Sequence, residues 1–334
     1  CDQPDPPCRT AAQKKETRYK IAVCSRKLGT LLSETGDMKG SVDETRKGLT
    51  LLQELAAETP ADLNLSFELG ATFNRLGLIL LDQGDFSGAL ENYQKELEIY
   101  ESLPAAERES EKMRRALSVV YEHLATVLLS TGDFEKALEN IRRSIEIRQA
   151  LIIDFPLNAD YLRALAVSFY WEGETLSDME RTREALGSYQ KDLDIAENLL
   201  SADPDNEVYR GDLAYVLNRV GDMQAKLGNA AQALAKYRRA QTLRAGDVKA
   251  DPTNRWKRSS LIGTNAKICR TLAKTGSTES VKIECAITIS LMEKTDLEPT
   301  NAADRGLFAD TYADIGEAYS NLALRQKENP NERR

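Results

Sequence analysis

The sequence predicts an all-α fold, a right-handed α-α superhelix built from consecutive helix pairs. Three observations carry this expectation. A turn signal recurs on one period, apolar columns repeat at helical spacing inside each period, and the composition is rich in charge with few strand-like alternations.

The turn signal is Gly followed by Asp, Asn or Ser, at Gly36-Asp37, Gly84-Asp85, Gly132-Asp133, Gly228-Asn229 and Gly276-Ser277. The intervals are 48, 48, 96 and 48 residues, so one copy is degenerate and falls at Glu180-Arg181. A second marker, Pro-x-Asn, stands at Pro156/Asn158, Pro204/Asn206 and Pro252/Asn254, and returns one residue early at Pro299/Asn301.

Columns read in that register divide each unit into two helices. Ile21, Leu69, Leu117, Leu165, Leu213 and Leu261 form one column. Leu28, Leu76, Leu124, Glu172, Val220 and Ile268 lie seven residues on, and Leu32, Leu80, Leu128, Leu176, Gln224 and Leu272 four beyond those. These offsets share one helical face, a buried stripe. Beside it every entry is small: Gly29, Gly77, Ala125, Gly173, Gly221 and Cys269. That column predicts a close approach of two helix backbones. A Gly in the left-handed region then ends the first helix. The second helix carries Ser41, Ala89, Ala137, Ala185, Ala233 and Val281, and, four further on, Thr45, Tyr93, Ile141, Tyr189, Tyr237 and Cys285.

Helices are expected near 17–35, 38–58, 62–82, 86–103, 111–130, 134–154, 159–178, 182–202, 207–227, 230–248, 255–275, 278–296 and 303–325. Residues 1–16 read as an extended Pro-containing linker, 17–325 as six helix pairs plus a terminal helix, and 326–334 as a polar tail. Beginning at Cys1 rather than Met, the chain reads as cut from a longer protein in preference to the lipid-bearing start of a mature lipoprotein.

The spacing in Leu76-Gly77, Gly84-Asp85, Ala89-Leu90 and Tyr93 resembles the tetratricopeptide repeat (TPR), which implies a TPR-like solenoid. The usual unit is about 34 residues. The 14 extra here equal about two turns on each helix, which keeps both stripes in phase. The phrases Arg18-Tyr19-Lys20-Ile21-Ala22-Val23-Cys24, Asp203-Pro204-Asp205-Asn206 and Tyr312 to Tyr319 are similar to TPR arrays C-terminal to bacterial serine/threonine protein kinases. That resemblance implies the non-catalytic sensor or regulatory region of such a kinase.

With 45 Lys+Arg against 53 Asp+Glu the net charge is −8, which argues against non-specific nucleic-acid binding. No apolar run approaches the ~18 residues of a membrane helix, so direct membrane insertion of this segment is not expected. The compartment stays open between cytoplasmic and membrane-tethered extracytoplasmic. No Gly-rich phosphate loop or kinase signature occurs, and the single histidine leaves only one base for a nucleophilic constellation. No catalytic residue, cofactor or metal site is expected. Cys269 and Cys285 occupy facing buried columns, where reduced core thiols are favoured over a disulfide.

The column Lys27, Arg75, His123, Trp171, Arg219 and Lys267 faces away from the buried stripe, and His123 is expected to be solvated there. Four residues earlier runs the largely apolar column Val23, Ala71, Val119, Val167, Tyr215 and Gly263. One residue before the basic column stand Asn74, Tyr170 and Asn218, able to bond a peptide backbone. Together these residues predict a groove with an apolar floor and a basic, amide-bearing wall. Its expected ligand is a protein or peptide, acidic or carboxylate-bearing. Inherited surface residues and packing between neighbouring first helices are the competing accounts of the same columns.

Overall fold

A left-handed glycine followed by an aspartate stops one helix and starts the next. Gly36, Gly84, Gly132 and Gly228 have φ between 78° and 87°. Asp37, Asp85 and Asp133 then accept from the backbone N–H of Gly40, Gly88 and Lys136. In the degenerate copy Glu180 itself takes φ 59°, and Arg181 begins the next helix without a side-chain cap. The Pro-x-Asn marker has a matching role at the other end of the pair. Asn158, Asn206 and Asn254 accept from the N–H groups of Tyr161, Tyr209 and Lys257, capping the next first helix.

The computed structural model describes residues 11–59, 62–275, 278–294 and 302–328. Among these residues there are helices and no strand. In order they are α1 (Ala11–Glu34), α2 (Met38–Glu58), α3 (Leu63–Asp82), α4 (Phe86–Glu101), α5 (Ala105–Arg108), α6 (Glu111–Ser130) and α7 (Phe134–Asp154). Then follow α8 (Ala159–Asp178), α9 (Thr182–Ala202), α10 (Glu207–Lys226), α11 (Ala230–Ala250), α12 (Arg255–Thr275), α13 (Thr278–Glu293) and α14 (Ala302–Glu328). The expected elements are present, with two additions. Helix α1 begins at Ala11 rather than 17, because Ala11 to Glu16 are good helix formers beyond the reach of the prolines. The one-turn helix α5 starts behind Pro104 in the connection between α4 and α6. Gly276-Ser277, Pro299/Asn301, Cys1, Cys8 and the tail from 329 lie outside the described residues.

Two compact units divide the chain, residues 1–156 and 157–334. In the first, α1 packs on α2, α3 on α4, and α6 on α7; in the second, α8 packs on α9, α10 on α11, and α12 on α13 and α14. The middle column of the stripe is buried from the second pair onward: Leu76, Leu124, Val220 and Ile268 are at most 4% exposed, and Glu172 is 7% exposed. Ile21 and Leu28 of α1 are 44% exposed, because no earlier described pair covers that face.

The small-residue column makes room for a side chain as well as a backbone. A Cβ on Gly77 would stand 2.6 Å from the Tyr93 ring, and one on Gly173 2.6 Å from Tyr189. On Gly221 the distance to Tyr237 would be 2.5 Å. The column entries sixteen apart therefore meet, with glycine under tyrosine in three pairs and Gly29 under Thr45 in the first; Ala125 and Ile141 hold the same positions in the third pair. In the sixth pair Cys269 and Cys285 fill the same positions and are joined by a disulfide, with Cα atoms 5.3 Å apart. The expectation of reduced thiols is corrected here: the glycine–tyrosine register already holds these two Cα atoms at disulfide distance.

Candidate functional site

The first helix of each pair carries the face to which the sequence assigns a groove, and each unit presents its own portion. In the first unit Lys27 is exposed on α1, with no ion pair among the described residues. Arg75 on α3 is half-buried and donates from Nη2 to the Thr30 carbonyl at 3.3 Å. Asn74 turns inward. Its Nδ2 donates to Glu96 Oε2 at 2.8 Å and lies 2.9 Å from His123 Nδ1, so Nδ1 accepts and the imidazole proton sits on Nε2.

His123 is not the solvated side chain expected from its column. Its ring packs on Tyr93 at 4.9 Å between centroids, and burial pushes its pKa down to about 4. Its column mates have long side chains that can reach water, whereas the imidazole is too short to clear the Tyr93 ring. Burial also pushes Glu96 up to about 8, although Asn74 and Tyr100 bond its carboxyl.

The signs of these shifts set a pH dependence. A carboxyl raised from 4.5 to about 8 stabilises the fold fully below pH 4.5 and loses that contribution progressively up to pH 8. The depressed histidine acts oppositely, losing its contribution as pH falls from 6.5 towards 4. Between pH 6.5 and 8 the carboxyl therefore dominates. Glu96→Gln should remove up to about 1.4 kcal/mol per pH unit of the stability lost across that window. Urea denaturation at pH 6.5 and 8 reads this directly, and identical slopes for parent and variant would refute it.

In the second unit the face is aromatic. The Tyr170 ring centroid lies 5.3 Å from Trp171 and 5.4 Å from Tyr215, and the two tyrosine hydroxyls are 3.1 Å apart. Trp171 is 43% and Tyr215 42% exposed, so this packed cluster still presents two large rings to solvent. Val167 and, in the first unit, Val119 are exposed members of the apolar column. Asn218 is buried and donates to Thr264 Oγ1 at 3.0 Å, so its amide joins α10 to α12 rather than facing a ligand.

The basic column has a function that its own spacing conceals. Arg219 Nε lies 3.1 Å from Glu174, and Lys267 Nζ 2.6 Å from Asp222. Tyr189 donates to that same Glu174, and Tyr237 to Asp222 at 2.8 Å. Arg75 reaches Thr30 in the same relation, 45 residues back. The column cations of α3, α10 and α12 thus each tie to the preceding first helix of their unit, through a carboxylate in the second unit and a carbonyl in the first. Arg219 and Lys267 are neutralised in place, whereas Lys27 and Arg75 have no carboxylate within ion-pair reach among the described residues. Glu174 and Asp222 three positions beyond Trp171 and Arg219 were the available signal. It becomes visible only when adjacent repeats are read diagonally.

The ladder lines a cleft of about 750 Å³ whose walls come from α8 to α12 and α14. Among the described residues no group of three or more His, Cys, Asp or Glu is placed to hold a metal ion.

Sequential helix pairs, each closed by a small residue under a side chain of its partner helix, define the TPR-like class of helical repeat folds. The tetratricopeptide repeat model matches residues 68–150, from within α3 to within α7. Among solved structures, BtubC (BKLC) from P. vanneervenii is similar at 17% identity and a TM-score of 0.57, covering 79% of this chain and 96% of its own. The apo form of RapI is similar at 14% identity and a TM-score of 0.54, covering 90% of this chain and 95% of its own. These likenesses concern the fold. No protein of curated function matches the chain in sequence.

Proposed function

We propose that the chain is a protein-interaction module that docks a protein or peptide partner on the exposed face of its first helices. The observation that carries this reading is the Tyr170–Trp171–Tyr215 cluster, rigid through its own ring and hydroxyl contacts yet open to solvent on two rings. Aromatic side chains already ordered before binding lose little entropy on contact and dominate most interfaces. The fold is one associated with binding scaffolds rather than catalysis, and the aromatic face is its natural point of attachment.

The preference for an acidic segment belongs to the first unit alone. Lys27 and Arg75 are available to steer carboxylates there, whereas Arg219 and Lys267 are occupied by Glu174 and Asp222. Exposed charges contribute mainly to the rate of association and aromatic anchors to the lifetime of the complex. A second reading, a regulatory region beside a kinase domain in the same polypeptide, is supported by the phrases around Arg18 and Tyr312. A kinase domain encoded upstream in the same frame would decide it.

The experiment is affinity capture of a partner from the source cell, followed by binding kinetics with variants. Trp171→Ala should speed dissociation by at least about thirtyfold, the equivalent of roughly 2 kcal/mol. Lys27→Glu with Arg75→Glu should slow association and flatten its salt dependence. Arg219→Glu is unsuitable, since it would set two carboxylates against each other. A partner bound equally by parent and all these variants would place the contact elsewhere.

A further inference from the structure

A smaller pocket opens beside the aromatic cluster, between α8, α9 and α10, with a volume of about 130 Å³. Its walls are apolar at Ala166, Val167, Ala196 and Leu199, with Tyr170 and Tyr215 also lining it. One wall holds the Asp192 carboxyl, which is 8% exposed and has no hydrogen-bond or ion-pair partner among the described residues. A buried carboxyl with no donor is costly unless something completes it. The other charged groups facing it are already matched. Arg163 of α8 donates to Asp212 of α10 at 2.6 Å at the same pocket, leaving no cation for Asp192. The remaining titratable neighbours are the phenols of Tyr170, Tyr209 and Tyr215.

We propose that this pocket receives the ammonium group of a lysine side chain presented by the protein partner. A lysine fits on three counts. Its aliphatic stem matches the Ala, Val and Leu walls, its ammonium supplies the donors that Asp192 lacks, and tyrosine rings attract a cation over their faces. A guanidinium is a poorer fit, since its planar fork is wider than an ammonium and the pocket holds only about 130 Å³. The source is a partner because Val167, Tyr170 and Tyr215 belong both to this pocket and to the proposed docking face. In that respect the inference rests on the proposed function; the chemistry of the pocket does not.

Burial, with a smaller contribution from Asp212, pushes the Asp192 carboxyl up to about 8. Near neutral pH it is therefore largely protonated in the free protein. An entering ammonium favours the carboxylate, so the proton leaves to solvent as the ion pair forms. Binding should accordingly weaken as pH falls below about 8.

The test uses the full chain with its aspartate carboxyl carbons labelled with carbon-13. It is titrated with Nα-acetyl-lysine methylamide and with the norleucine analogue, which keeps the stem and lacks the charge. The lysine probe should shift the Asp192 carboxyl resonance saturably towards the ionised position, and the norleucine probe should not. Asp192→Asn, close in shape to the protonated acid, should abolish probe binding, as should Val167→Trp, which fills the mouth. Partner binding should weaken at least tenfold in Asp192→Asn. Equal binding of both probes, binding that survives Asp192→Asn, or no saturable shift would overturn the pocket assignment. Probe binding that depends on Asp192 while partner affinity stays unchanged would overturn the partner lysine. Failure of the docking face itself would show separately, as partner affinity insensitive to Trp171→Ala.

Discussion

Gly77→Ala should destabilise the first unit by roughly 1–3 kcal/mol, and Gly77→Leu by more. Even the added methyl would stand 2.6 Å from the Tyr93 ring, which is fully buried and has no space into which to move. The third pair shows the compatible alternative, Ala125 opposite Ile141. Gly77→Ala combined with Tyr93→Ile should therefore recover part of the loss. Tyr93 is suited to the exchange because its hydroxyl has no hydrogen-bond partner among the described residues. The double-mutant coupling should be about 0.5–3 kcal/mol in favour of the pair. Urea denaturation of the four proteins measures it. Additive effects would mean that the two columns do not meet.

The second large effect belongs to the sixth pair. Replacing Cys269 and Cys285 together by alanine should cost roughly 2–4 kcal/mol, the usual contribution of a bridge closing a loop of this length. Both residues are fully buried, so a reducing agent would act slowly and the double variant is the cleaner probe. The loss should be local, because a repeat couples mainly to its neighbours. Hydrogen exchange should accelerate in α12, α13 and α14 while α3 to α7 keep their protection. Unchanged exchange in α13 would show that the bridge does not hold this pair together.

Much of this fold was legible because its local chemistry agrees with its long-range packing. Gly84 and Asp85 mark a helix end, a turn and a cap within two residues, and the columns through Leu76 and Tyr93 reveal which faces close on each other. Helix boundaries consequently fell within two or three residues of expectation, apart from the start of α1. The short helix α5 escaped notice because four residues carry no periodicity.

The candidate face was legible in part. Exposed Val119, Val167, Trp171 and Tyr215 stand where their columns placed them. The partners of the polar members did not follow from those columns. Asn74, His123 and Asn218 satisfy buried groups, and Arg219 and Lys267 tie adjacent first helices. A column records what recurs at one position, whereas these bonds join different positions of successive units. Asp192 was missed for a related reason: its column is Gly48, Glu96, Ser144, Asp192, Ala240 and Thr288, a second-helix position whose chemistry changes from copy to copy.

The central claim, that a partner docks on the first-helix face, is tested most directly by hydrogen exchange of the complex. With a captured partner bound, protection should rise in the segments around Val167 to Trp171 of α8 and Tyr215 to Arg219 of α10. The solvent-facing turns of α9 and α11 should exchange as in the free protein. Protection confined to α9 and α11, with α8 and α10 unchanged, would contradict the account.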